Sequence, residues 1–241
     1  MPRFFCPLPL AIGAHLDLPD NTAHHVFVLR LNVGDQIELF NGEGGSYLAS
    51  LTSISKKNVS AEVKVFLPEE VELPFGLSLA QALPEGSKMD WIIEKAIELG
   101  VSTIQPLAAQ RSVVKLTAER AEKKMSHWQA VIQAATEQCG RKRIAHLADL
   151  MDVQKWLAQQ DMHRRVLLSP RAETSLADWA RHHPAQALTI MIGPEGGFSE
   201  TEEKLALQHG ALVLSMGPRV LRTETAGLTA ISVLSAAWGG M

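Results

Sequence analysis

Two parts are predicted for this chain: a small, mostly antiparallel β-barrel or sandwich, then an α/β domain with a largely parallel sheet. Three observations predict them. Short alternating apolar and polar runs separated by turn residues fill residues 25–67, the pattern of half-buried strands at close spacing. The segment "PEEVELPFG", residues 68–76, interrupts with two prolines and a glycine, the best domain boundary in the sequence. Beyond it, nearly continuous apolar runs alternate with helical patterns, as expected of strands buried on both faces by helices. The expected domains are therefore residues 1–70 and 75–241.

The elements follow in order. "HVFVLRL", "DQIELF", "SYLASLTSI" and "VSAEVKVFL" read as strands, with "NVGD", "NGEGG" and "SKKN" as the turns between them. After the boundary, "LSLAQAL" reads as a buried strand. "SKMDWIIEKAIELG" is a helix with Ser87 as N-cap, Trp91, Ile92, Ala96 and Leu99 at helical spacing, and Gly100 as the stop. "VSTIQPL" is the next strand. From Thr117 to Cys139 a long helix is expected, because Ala121, Met125, Trp128, Ile132 and Ala135 repeat at intervals of four and three, with Gly140 ending it. "RVLLSP", "LTIMIGP" and "ALVLSMG" are three further buried strands, each separated from the next by a helix.

Composition narrows the function classes. With 46% apolar and 20% charged residues the chain is of the ordinary soluble globular kind. A formal net charge of −3 argues against a protein that coats nucleic acid indiscriminately, since that mode needs many Lys and Arg contacts to phosphate. Cys6 and Cys139 are the only cysteines, which excludes a disulfide framework or a cysteine zinc site and favours a reducing cytoplasm. No histidine spacing suits a metal, and the neighbours in His24-His25 and His182-His183 point apart on a strand, so no metal is expected. Pro2, Pro7 and Pro9 break the apolar start, which reads as mature protein. The apolar stretch from Ala226 to Met241 is shorter than the ~20 residues of a membrane span and reads as buried helix.

Ligands of parallel sheets sit beyond the C-terminal strand ends, and two unusual segments fall there. In "MIGPEGGFSETEE", Ser199 and Glu202 form a capping box, so residues 193–198 must be a strand-to-helix loop. A tight turn accounts for one of its glycines, hardly for three. No Gly-Lys-Ser/Thr follows and G-x-G-x-x-G is absent, so neither the phosphate loop nor the dinucleotide fingerprint applies. In "LSMGPRVLRTETAGLTA", residues 214–230, a second Gly-Pro element precedes a helix starting near Thr223 or Glu224. If the two strands are neighbours, both loops face one crevice and can offer bare backbone to a flat heterocycle. Arg219 and Arg222 read equally as solvated surface or as ligand contacts.

"IGPEGGFSETE" and "LSMGPRVLRTETAGL", in this order near the C-terminus, resemble the RsmE family of 16S ribosomal RNA uridine-N3 methyltransferases, of the SPOUT class. "DWIIEKAIELGVSTIQPL", "QRSVVK" and "ATEQCGR" resemble further family blocks, and "PRFF" with "HVFVLRLNVGDQIELFNGEGGSY" resembles its PUA-like RNA-binding domain, so the likeness spans nearly the whole chain. The resemblance implies a trefoil-knotted α/β domain, an exception to the rule that chains avoid knots, after a PUA-like β-barrel. It implies S-adenosylmethionine as cofactor, held by Ile192, Gly193, Glu195, Gly196 and Gly197 from the first loop and Leu214, Met216, Gly217, Leu221, Arg222 and Thr223 from the second. Ser169 and Pro170 are further candidates. It also implies a cytoplasmic homodimer, with the long and C-terminal helices as contact surfaces, acting on 16S rRNA within the small ribosomal subunit.

Transfer of a methyl group to uracil N3 asks for alignment and for loss of the N3 proton. Arg222 and Glu224, beside the second loop, are the expected catalytic pair, the arginine stabilising the uracil anion and the carboxylate taking the proton. A cap carboxylate and a phosphate contact are the alternatives for the same two residues. Gln138 and Arg141 match the family's Glu-Gln-x-x-Arg block and are expected to reach RNA, or else simply to end a helix. Arg3, Arg30, Arg111 and Lys115, with "RKR" at 141–143, are the expected path of an RNA backbone. Two departures from the family pattern stand out: Cys139 fills a small-residue slot, and "IAHLADL" lacks the proline expected after Arg143. A SPOUT enzyme of another RNA and a non-catalytic RNA-binding assembly factor are the rival readings.

Overall fold

A computed structural model describes residues 1–55, 58–160 and 163–241. Lys56 and Lys57 of the expected "SKKN" turn lie outside the described residues. The chain forms two compact units, Met1–Glu72 with Thr136–Ile144, and Leu73–Ala135 with Ala145–Met241. The first thus includes a stretch that the sequence partition assigned to the second domain.

The first unit contains β1 (Arg3–Phe5), β2 (His15–Asp17), α1 (Asp20–Val28), β3 (Gln36–Phe40), β4 (Ser46–Ile54) and β5 (Val59–Leu67). Its sheet has the order β1-β3-β4-β5-β2, antiparallel except for the parallel β1–β3 pair. Phe4, Val26, Ile37, Leu39, Leu51, Val59 and Val63 meet in its core. One expectation fails here: "HVFVLRL" is not a strand, because His25–Val28 form the end of α1. Of the run Val26–Leu29 only Val26 is buried while its three successors face solvent, so the apolar run never had the two-sided burial that would hold it in a sheet.

The segment 136–144 is tied into this unit by charge. Phe5 N donates to Glu137 Oε1 (2.9 Å), Arg141 pairs with Glu72, Lys142 with Glu38 and Arg143 with Glu70. The expected basic patch "RKR" is therefore matched, residue for residue, by carboxylates. Two of those carboxylates come from the proline-rich boundary segment itself.

The second unit begins with β6 (Leu77–Ala82), α2 (Lys88–Glu98), β7 (Thr103–Ala108) and α3 (Ala118–Cys139), whose last turn is counted with the first unit. There follow β8 (His146–Leu147), β9 (Met151–Asp152), α4 (Val153–Leu157), β10 (Arg164–Leu168), α5 (Leu176–Arg181), β11 (Leu188–Ile192), α6 (Glu200–Gln208), β12 (Leu212–Leu214) and α7 (Thr223–Trp238). The sheet is parallel throughout, in the order β12-β10-β11-β6-β7-β8, with β9 also on β7. Every residue of β6 and β11 is buried, which explains their nearly continuous apolar sequence.

Two helices depart from expectation in the face they bury. On α2 the buried residues are Met89, Ile92, Ile93, Ala96 and Ile97, and Trp91 is 46% exposed. On α3 Trp128, Ile132 and Ala135 are buried, whereas Ala121 and Met125 are only partly so. Asp90 fastens the two helices, accepting from Trp128 Nε1 and meeting His127 Nε2, each at 2.9 Å. Ser87 occupies the N-cap of α2 without a side-chain bond.

Candidate active site

The strand order places β10 between β11 and β12. The two Gly-Pro loops therefore do not leave neighbouring strands, as the sequence suggested; they flank the end of β10. That end supplies a third wall. An open cleft of about 430 Å³ is lined by Leu168 and Pro170, by residues 192–197, and by Val220, Leu221, Arg222, Thr223, Glu224 and Ala226. An adjoining cleft of about 90 Å³ is lined by Leu168, Ser169, Pro170, Met216, Gly217, Arg219, Val220, Leu221 and Ala226. Both lie beyond C-terminal strand ends of the second unit, the larger beside the ends of β10 and β11 and the smaller beside those of β10 and β12.

The first loop is held from several directions. Gly197 N returns to Pro194 O at 2.8 Å, with Gly197 at φ +67°, a conformation that L side chains rarely adopt. A Cβ on Gly193 would stand 2.8 Å from Phe198 N and 2.9 Å from Gly197 C, so only glycine lets the loop close on itself. Gly196 needs neither device: its φ is ordinary and an added Cβ would meet Arg111 Cβ at 3.4 Å. Arg111 Nη1 donates to Gly196 O (3.0 Å) and Phe198 O (3.2 Å). Glu195 accepts from Lys88 Nζ (2.5 Å) and from Glu85 N (3.1 Å). The capping box forms as expected, with Ser199 N donating to Glu202 Oε2 (2.8 Å) and Glu202 N to Ser199 Oγ (3.2 Å). The other Glu202 oxygen accepts from Gln110 N at 2.8 Å.

Electrostatics sharpen the role of Glu195. Burial pushes its carboxyl up, but Lys88 together with the backbone amides of Glu195 and Glu85 outweighs that and holds it below the ordinary carboxylate range. Its hydrogen bond to Glu195 raises the Lys88 ammonium in turn. This carboxylate is spent on the chain itself.

At the first turn of α7, Thr223 Oγ1 donates to Gly193 O at 2.6 Å. No side chain caps this helix from Arg222. Arg222 is exposed at the cleft, and Glu224 is half-buried with an Oε2 that has no protein partner.

The structure thus brings Ile192, Gly193, Glu195, Gly196, Gly197, Leu221, Arg222, Thr223 and Glu224 to the larger cleft and Ser169, Met216, Gly217 and Leu221 to the smaller. Leu214 is buried and lines neither; its carbonyl accepts from Ser169 N at 3.0 Å. Of the expected RNA contacts, Arg111 lies against the first loop, and Arg3, Arg30, Gln138 and Arg141 belong to the first unit. Arg141 is 3% exposed and Lys142 7%, both consumed in ion pairs, so Arg141 is a structural cation, because a buried guanidinium with a carboxylate partner has little left to offer a phosphate. Arg111 serves the first loop. Arg3 donates to the Gln138 carbonyl at 3.4 Å. The Gln138 side chain and Arg30 remain exposed on the first unit, Arg30 at φ +56°.

Sequence reasoning missed Lys88, Leu168, Val220 and Gln81. Gln81 carried a signal, being the one polar side chain within the apolar run "LAQAL". Among the described residues no three His, Cys, Asp or Glu side chains group as a metal site, and no helix is long and apolar enough to cross a membrane.

A family model described as an RNA methyltransferase domain matches residues 71–235, and one described as an RNA methyltransferase PUA domain matches residues 18–64. The ribosomal RNA small subunit methyltransferase E of Bacillus subtilis is 37% identical over 220 residues, 88% of this chain and 86% of that protein. The protein of the same name from Neisseria gonorrhoeae, solved bound to S-adenosyl methionine, superposes with a TM-score of 0.92 at 35% identity, covering 99% of this chain and 98% of the other. A Legionella pneumophila protein solved with bound SAM gives 0.92 at 38%, covering 98% and 97%. The matched domain, the identity over nearly full length and a cleft built from the two loops lead to one conclusion: this chain belongs to the ribosomal RNA small subunit methyltransferase E family of RNA methyltransferases.

Proposed function

We propose that this protein methylates N3 of a uridine in 16S rRNA with S-adenosylmethionine, working as a cytoplasmic homodimer on the small ribosomal subunit. One observation carries the reading to this chain's own residues. A single cleft gathers bare loop backbone, an exposed arginine and a carboxylate whose buried oxygen has no protein partner. The backbone of residues 192–197, with Leu168, Leu221 and Thr223, forms the cradle for the cofactor, and Ser169, Met216 and Gly217 extend it into the adjoining cleft. The fit is sterically reasonable, because Gly196 is a glycine that the loop's own conformation does not require. The trefoil threading belongs to this proposal, as do domain roles in which residues 1–70 bind RNA and 75–241 carry the chemistry.

The cofactor supplies a methyl group on a sulfonium centre. Leu168, Ile192 and Leu221 line the cleft's apolar walls. Glu224, which lines the cleft, takes the proton from uracil N3, and the Arg222 guanidinium stabilises the anion left on the ring. Arg30 and the Gln138 side chain position RNA on the first unit. Methyl incorporation from labelled cofactor should be compared on 30S subunits, naked 16S rRNA and tRNA, with the modified base mapped by mass spectrometry. A single N3-methyluridine in 30S is expected, and incorporation into tRNA alone would overturn the substrate. Sedimentation of the purified protein should give twice the chain mass.

A further inference from the structure

We infer that Gln81 is a positioning residue, holding the first turn of α7 in register with the first loop; this rests on the proposal that Arg222 and Glu224 act on the uracil. Gln81 sits near the C-terminal end of β6, paired in register with Ile192 on β11, and is 0% exposed. Its Nε2 donates to Ala82 O (2.9 Å) and to Thr223 Oγ1 (3.0 Å), and Thr223 Oγ1 passes its own hydrogen to Gly193 O (2.6 Å). The relay joins three elements at one point: the strand beneath the site, the helix bearing Arg222 and Glu224, and the loop proposed to hold the cofactor.

Stability does not explain the residue. Its Oε1 is buried with no partner among the described residues, and a half-satisfied buried amide costs free energy where an apolar side chain of the same shape would not. A buried strand glutamine does not create such a relay by itself: Gln105 on β7 makes the same bond to the next carbonyl, Pro106 O, but spends its other hydrogen on Asp149 O.

The two ends of the relay are unequally dependent on it. The first loop is held as well by Arg111, by the Glu195 contacts and by its capping box. The first turn of α7 has no side-chain cap. Loss of Gln81 therefore loosens the proposed catalytic pair and spares the cofactor cradle, a split that a general packing role would not produce.

The test is Gln81→Met assayed on 30S subunits. Expected are a melting temperature no lower than wild type, a cofactor Kd within threefold, and a kcat at least tenfold down. Thr223→Ser should keep most of the kcat, Thr223→Val should lose it, and adding Gln81→Met to Thr223→Val should cost no more. Gln105→Met is the control, expected to retain wild-type kcat. An unchanged kcat in Gln81→Met, a marked fall in its melting temperature, a loss of cofactor binding equal to the loss of kcat, or an equal kcat loss in folded Gln105→Met would each overturn the inference. If wild type itself transfers no methyl group, or Arg222→Ala and Glu224→Gln both keep full kcat, the functional reading has failed instead.

Discussion

The two loops of the site share a Gly-Pro element and a place at the end of a parallel strand, yet they are held very differently. Residues 193–198 are braced by Arg111, by Glu195 on Lys88 and Glu85, by Thr223 and by the capping box. Among the described residues, 216–221 make no hydrogen bond, and Val220, at 83% exposure, is the most exposed large apolar side chain. The contrast separates preorganisation from adaptability. A loop whose backbone is the binding surface must stand in place before the ligand arrives, because ordering it afterwards would subtract from affinity. A loop with free side chains, Arg219 and Val220 among them, can settle on whatever substrate comes.

The largest expected effect breaks the rigid loop outright. Gly193→Val forces branched carbons onto backbone atoms of the same loop, so a loss of about 3 kcal/mol or more in stability is expected, read as a fall of roughly 6–12 °C in melting temperature. Gly196→Val is the sharper test. Its neighbourhood leaves the fold intact, and the added side chain should weaken S-adenosylmethionine binding by about tenfold, about 1.4 kcal/mol by calorimetry. Unaltered affinity there would sink the cradle assignment.

A smaller effect tests the difference between the loops directly. Arg111→Ala removes two bonds to loop carbonyls and should weaken cofactor binding by about three- to tenfold, while Arg219→Ala, on the unbraced loop, should leave cofactor affinity alone and raise the KM for RNA. The same pattern in both variants would erase the contrast. The smallest effect concerns pH. Because the Glu195 carboxyl is depressed in the folded protein, its bracing is fully present above the ordinary carboxylate range and is lost as pH falls through the lowered value. The ratio of cofactor affinities between wild type and Glu195→Gln should stay constant from about pH 8 to pH 6 and approach one only below about pH 4. A ratio that changes between pH 8 and 6 would contradict this account of the brace.

Much of the scaffold was legible before any coordinates. Nearly continuous apolar runs marked β6 and β11 because both faces of those strands are covered, and Ser199 with Glu202 marked the start of α6 because the cap is a contact between residues three apart. Where the contact partner lies far along the chain, the sequence was silent or misleading. "RKR" read as a basic patch because Glu72, Glu38 and Glu70, which neutralise it, are about seventy to a hundred residues distant. "HVFVLRL" read as a strand because local alternation cannot reveal that three of its apolar side chains face water.

The sequence by itself determined the order of the longer strands and helices of the second unit, the two glycine-rich loops at strand ends and, by resemblance, the family. The backbone periods and turn residues that encode those features are local. Tertiary structure alone decided that β10 stands between the two loops, that Arg111 and Glu195 brace the first loop, and that Gln81 meets Thr223 across 142 positions of chain. Each of these depends on which distant groups share a small volume. A hydrogen bond of 3 Å records that proximity, and no spacing along the chain does.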